Sequence, residues 1–147
     1  MGQNFLTDPS TARTIITRAN LTSDDVVLEI GAGLGALTIP LAKVVKKVYA
    51  VEKDNQLIEL LKTELIANRI SNCEIISQNI LEMDLDTIAD TTATKIAAVG
   101  NLPYGISSQI LIKLVQSRSK IDRAVLCFKK SWRSALLPNP AADSTAE

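Results

Sequence analysis

Apolar residues fall along this chain in two patterns that take turns. Short unbroken runs occupy Val26-Val27-Leu28-Glu29-Ile30-Gly31, Lys47-Val48-Tyr49-Ala50-Val51-Glu52, Cys73-Glu74-Ile75-Ile76-Ser77-Gln78, Lys95-Ile96-Ala97-Ala98-Val99-Gly100 and Arg123-Ala124-Val125-Leu126-Cys127-Phe128. Runs of this length, ended by glycine or charge, predict strands buried on both faces. Between them lie segments with helical spacing: Ala12 to Ala19, Leu37 to Val45, Asn55 to Asn68, and about Ser107 to Val115. Pro40 interrupts the second near its first turn, because proline supplies no N–H to a helix interior. In the third, Leu57, Leu60, Leu61 and Leu65 share one face. Strand alternating with helix predicts an α/β fold, a mostly parallel sheet with helices on both faces.

Composition bounds the rest. The 147 residues allow one domain and one core, and at 46% apolar but 3% aromatic that core must be aliphatic. No apolar stretch approaches the roughly 18 residues of a membrane span. Met1-Gly2-Gln3-Asn4-Phe5 lacks the regions of a secretory signal. Cys73 and Cys127 sit in apolar runs, where each reads as a small buried hydrophobe. Both features predict a cytoplasmic protein. The chain has no His, which excludes a His-based triad; without a Cys cluster either, no metal site is expected. Sixteen basic residues balance sixteen acidic ones. A neutral segment is poorly suited to gripping RNA by itself.

Three motifs carry candidate chemistry. Glu29-Ile30-Gly31-Ala32-Gly33-Leu34-Gly35 lies at a strand-to-helix junction, where Gly31 and Gly33 let a ligand approach the backbone. A dinucleotide site and a purely structural turn are the alternatives. The Gly-x-Gly-x-Gly spacing departs from the dinucleotide fingerprint. Glu52 ends the second strand, where a ribose-binding carboxylate is expected in this architecture. Two hydroxyls of one ribose match its two oxygens; otherwise Glu52 is a solvated strand-end acid. Lys53 and Asp54 read as surface charges.

Asn101-Leu102-Pro103-Tyr104 follows the fourth strand and is the most specific element. An exocyclic adenine amine is a poor nucleophile, because its lone pair is delocalised into the ring. The Asn101 side-chain oxygen and the Leu102 carbonyl are two acceptors that can hold its hydrogens and favour a pyramidal nitrogen. Pro103 stiffens the segment, and Tyr104 offers a face to an unstacked base. The bland alternative is a turn carrying a half-buried Tyr.

With these motifs in order, the chain resembles the bacterial small-subunit ribosomal RNA adenine dimethyltransferases. Gly2-Gln3-Asn4-Phe5-Leu6 is similar to that family's opening motif, and agreement runs from Gly2 to about Lys130. The resemblance implies a Rossmann-like, S-adenosyl-L-methionine-dependent methyltransferase domain over residues 1–130, truncated after about the fifth strand. It implies that Asn4, Leu6, Gly31, Glu52, Asn79 and Asn101 line the cofactor site, with Gln3 close by. The implied partner is small-subunit ribosomal RNA or the immature small subunit, and the implied state a monomer. Two positions depart from the family: Asn79 stands for its usual acid, which accepts from the cofactor's adenine amine, and Gly105 for its common Asn. Gly105 is expected to loosen the loop holding Tyr104.

From Ser131 to Glu147 the chain turns rich in Ala, Pro and Ser. The plain reading is a disordered tail. Plausible codons for Lys129 to Ala146, read two bases along, encode a peptide similar to what the family places after its fifth strand, so a frameshift is expected. A C-terminal helical RNA-holding domain and a second aromatic for the target base would then be missing. Such a chain is expected to bind cofactor weakly and to fail in dimethylation. The rival functions are a large-subunit RNA adenine methyltransferase of the macrolide-resistance type, a DNA amine methyltransferase, and a non-catalytic ribosome assembly factor.

Overall fold

A computed structural model describes residues 9–92 and 95–129. Its elements follow as α1 (Pro9–Arg18), β1 (Val26–Ile30), α2 (Thr38–Ala42), β2 (Lys47–Glu52), α3 (Asn55–Ala67), β3 (Cys73–Ser77), α4 (Leu85–Thr92), β4 (Ile96–Pro103), a 3-10 turn (Tyr104–Ile106), α5 (Ser107–Gln116) and β5 (Ile121–Lys129). The strands form one parallel sheet in the order β3-β2-β1-β4-β5. Connections reverse direction between β1 and β4, so a crevice opens outside the carboxyl ends of these strands.

Strand alternation sorts the apolar side chains onto two faces. Val27, Val48, Ala50, Ala97 and Val99 pack against Ala12 and Ile15 of α1, Leu41 of α2 and Leu61 and Leu65 of α3. Leu28, Ile30, Val51, Ala98 and Leu102 pack against Leu85 and Ile88 of α4 and Ile110 and Leu114 of α5. The expected α/β sheet, with helices on both faces, is the observed one.

Several details differ from the expectation. Helix α2 is confined to Thr38–Ala42, with Pro40 inside its first turn. Helix α4 has no counterpart in the pattern reading. Strand β4 runs through Asn101 and Leu102 to Pro103, so these residues continue the strand rather than follow it. Pro103 pairs with Lys129 at the strand's last position, where a missing N–H costs little. Asp54 is the N-cap of α3, accepting from the N–H groups of Gln56 and Leu57 at 2.9 and 3.3 Å, and is not merely a surface charge. Both cysteines are free and half-buried, and burial pushes the Cys73 thiol up to about 12.

Among the described residues no helix is long and apolar enough to cross a membrane. None of their His, Cys, Asp and Glu side chains form a group of three able to hold a metal. Gln3, Asn4, Leu6 and the segment from Ser131 onward lie outside the described residues.

The glycine turn after β1 is held by sterics that differ along its length. Gly35, at φ +92°, would place a Cβ 2.8 Å from Cδ1 of Leu61, a side chain with no solvent exposure into which to move. Gly33, at φ +57°, has open space around its Cβ position. Gly35→Ala is therefore expected to lower unfolding free energy by about 2–3 kcal/mol and Gly33→Ala by about 1 kcal/mol, measured by urea denaturation.

Candidate functional site

An open cleft lies at the carboxyl ends of β1, β2 and β3. Ile30, Val51, Ile80, Leu102 and Ile106 supply its apolar walls, and Gly31, Glu52, Lys53, Gln78 and Asn79 its polar edge. The glycine turn reaches this cleft because its backbone is bonded to β2. The N–H groups of Gly31 and Ala32 both donate to the Val51 carbonyl, at 2.9 and 3.1 Å.

Glu52 extends that attachment through its side chain. Its Oε2 accepts from the Gly33 N–H at 2.9 Å, and its Oε1 from the Lys53 and Asp54 N–H groups at 2.9 and 3.1 Å. The residue is 8% exposed, so it is not a solvated strand-end acid. A carboxylate has about four acceptor sites, and these three bonds leave a single one, on Oε2. The expectation that both oxygens meet a ribose is therefore narrowed to one free position, beside the glycine turn.

Glu29 sits one strand away, paired with Ala50 and by alternation on the same face as Glu52. It is 1% exposed, and its Oε1 accepts from the hydroxyl of Thr38, itself fully buried on α2. Burial pushes the Glu29 carboxyl up to about 8, against the opposing pull of the Thr38 bond and with a further upward push from nearby Glu52. A group ahead of the glycine turn thus stays protonated through much of the neutral range and ties β1 to α2.

The Asn101–Tyr104 segment forms the other side of the site. Gly100 is paired with Ile30, the last residue of β1, so Asn101, Leu102 and Pro103 project past the end of β1 and, among the described residues, pair with β5 alone. Leu102 is buried and lines the cleft. Asn101, half-buried, is not among the cleft-lining residues. By alternation it shares the face of Ala97 and Val99, while Leu102 shares that of Ala98. Tyr104 is 58% exposed, and Gly105 sits in a 3-10 turn that Ser107 secures by donating from Oγ to the Tyr104 carbonyl at 2.8 Å.

One aromatic escaped the sequence reading. Phe128 stacks on Tyr104 with ring centroids 6.3 Å apart and planes at 28°. It lies 24 residues away, and the Leu102↔Phe128 register brings it there. The run Arg123 to Phe128 was legible as a strand; its register against β4 was not.

Glu29 gives the site a pH signature. Its proton is held up to about pH 8 in the folded chain but lost near 4.5 when unfolded. Between those values the native state binds more protons, so stability falls as pH rises. Urea midpoints of the chain are expected to decline from pH 5 to 8. Glu29→Gln, which keeps an acceptor for Thr38 and cannot ionise, is expected to flatten that decline.

The chain matches the family described as Ribosomal RNA adenine dimethylase over residues 1–145. It is 49% identical over 140 residues to the ribosomal RNA small subunit methyltransferase A of Desulforapulum autotrophicum, covering 95% of this chain and 49% of that one. A dimethyladenosine transferase from Plasmodium falciparum superposes with a TM-score of 0.73 at 31% identity, over 92% of this chain and 47% of that one. The 23S rRNA methyltransferase ErmE does so at 0.71 and 30%, over 86% and 48%. The chain thus spans about half the length of its relatives. On the family match across nearly all its residues, the chain belongs to the ribosomal RNA adenine dimethylase family.

Proposed function

We propose that this chain forms the cofactor-binding part of an enzyme that transfers methyl groups from S-adenosyl-L-methionine to adenine exocyclic amines of small-subunit ribosomal RNA. The observation that carries the reading is the junction of the glycine turn with Glu52 beside an apolar cleft. The residues suit the cofactor: one acceptor position on Glu52 for a ribose hydroxyl, isoleucine and valine walls for a purine, and a turn of glycines at the switch point of the sheet. Gln3, Asn4 and Leu6 would complete it from the N-terminal side. S-adenosyl-L-methionine, when bound, supplies an electrophilic methyl group on a sulfonium.

The rest falls to the chain. Glu52, Gly31, Gly33 and Asn79 orient the cofactor. The side-chain oxygen of Asn101 and the backbone carbonyl of Leu102 accept the hydrogens of the adenine amine, Pro103 holds the strand end, and Tyr104 stacks on the base. No strong base is needed, because the amine becomes acidic once methylated. The small-subunit target is supported by the 49% identical relative. The likeness to ErmE favours a second reading, a large-subunit target.

S-adenosylhomocysteine is expected to bind the chain saturably in calorimetry, and Glu52→Gln to weaken binding about tenfold. Methyl transfer is measured on the chain continued with the C-terminal half of the Desulforapulum autotrophicum relative. Immature small subunits are expected to be methylated and large-subunit RNA is not. Asn101→Ala is expected to slow transfer about a hundredfold or more. Methylation of large-subunit RNA alone would replace the first reading with the second.

A further inference from the structure

Tyr104 is anchored through its backbone, and its side chain has little else to hold it. The Tyr104 carbonyl accepts the Ser107 hydroxyl at 2.8 Å, which fixes the turn but not the ring. The ring is exposed, and no described residue bonds its hydroxyl. A tyrosine in that state moves among its staggered rotamers. The ring contact that opposes this movement is the stack with Phe128.

Phe128 owes its place to the sheet rather than to the turn. Its backbone pairs with Leu102, two residues before Tyr104, and its side chain packs against the core cluster that contains Leu102. It is half-buried there, a firmer support than the turn that carries Tyr104. Tyr104, the more exposed of the two, is the ring a base would meet. Phe128 acts through it.

We infer that Phe128 is a positioning residue for methyl transfer: it holds the Tyr104 ring in one rotamer, ready to receive the unstacked target adenine. The inference rests on the function proposed above. Stacking on a flipped base yields only what is left after the ring beneath it has been ordered. A ring already held by Phe128 carries less of that cost into the reactive complex. Affinity for RNA comes largely from phosphate contacts, so the benefit falls on kcat rather than on KM.

Two measurements test this. On the full chain, NMR with labelled tyrosine follows the rings directly, since the sequence holds only Tyr49 and Tyr104. Phe128→Leu keeps apolar bulk for the core. It is expected to shift the Tyr104 ring signals and to leave those of Tyr49, on β2, in place. Unchanged Tyr104 signals would overturn the inference. Methyl transfer is then followed on the chain continued with the C-terminal half of the Desulforapulum autotrophicum relative, with the ribosomal RNA it methylates. Phe128→Leu is expected to lower kcat about two- to tenfold, the weight of one aromatic pair, with KM unchanged. Phe128→Tyr, which keeps a ring, is expected to recover most of that loss. On a Tyr104→Ala background, Phe128→Leu is expected to add nothing. An equal loss in both backgrounds would mean that Phe128 only fills space, and its role would be overturned while the proposed function stands. If the unsubstituted protein methylates no ribosomal RNA, the proposed function falls and the inference with it.

Discussion

A carboxylate withdrawn from water must find donors, and Glu52 finds three in the backbone around it. Two of them, Lys53 and Asp54, are the first N–H groups after β2, at the entry to α3. The third, on Gly33, belongs to the turn after β1. One side chain thus welds a strand end, a helix start and a glycine turn into one unit. Asp54 extends the same logic by one step, accepting the first N–H groups of α3. The cleft is the space these bonds leave open. The polar atoms at its edge are fixed before any ligand arrives, which lowers the ordering cost of binding.

The two buried glutamates near this turn have opposite surroundings. Glu52 is met by several N–H groups of backbone, whereas Glu29 has one hydroxyl partner and no exposure. Desolvation therefore dominates at Glu29, and the charge of Glu52 adds to it. With its proton retained, Glu29 joins β1 to α2 without placing a second negative charge under the turn. The same residue types in swapped surroundings would put repulsion where the turn must close.

The layout was legible in the sequence because parallel strands buried on both faces read as apolar runs with little competing pattern. The glycine turn and Glu52 were legible for the same reason: each sits where such a run ends. Helix α4 was not, since Leu85-Asp86-Thr87-Ile88 carries two apolar residues among poor helix formers. Its stability comes from burying Leu85 and Ile88 against the sheet, a tertiary fact. The side-chain turn at Asn79, whose Oδ1 accepts the Leu81 N–H at 3.0 Å, had a local signal, an Asn just past a strand. The Phe128 contact had none, because it depends on how two strands separated by helix α5 align.

That alignment is set at the far end of β5. Ile96 pairs with Ile121 but Ala97 with Arg123, so β5 carries one extra residue at Asp122. Without the bulge, every later side chain of β5 would face the other side of the sheet. Arg123 secures the shifted register: it donates to the Ala19 and Asn20 carbonyls at the end of α1 and pairs with Asp25 at 2.9 Å. From there alternation runs unbroken to Phe128, which therefore lands on the face of Leu102 and reaches Tyr104. Beyond Gly100, β4 has no pairing with β1, and β5 is its one remaining neighbour among the described residues. The position of Leu102 in the cleft wall, with Asn101 beside it on the other face, thus depends on a register secured by an arginine at the opposite end of the sheet.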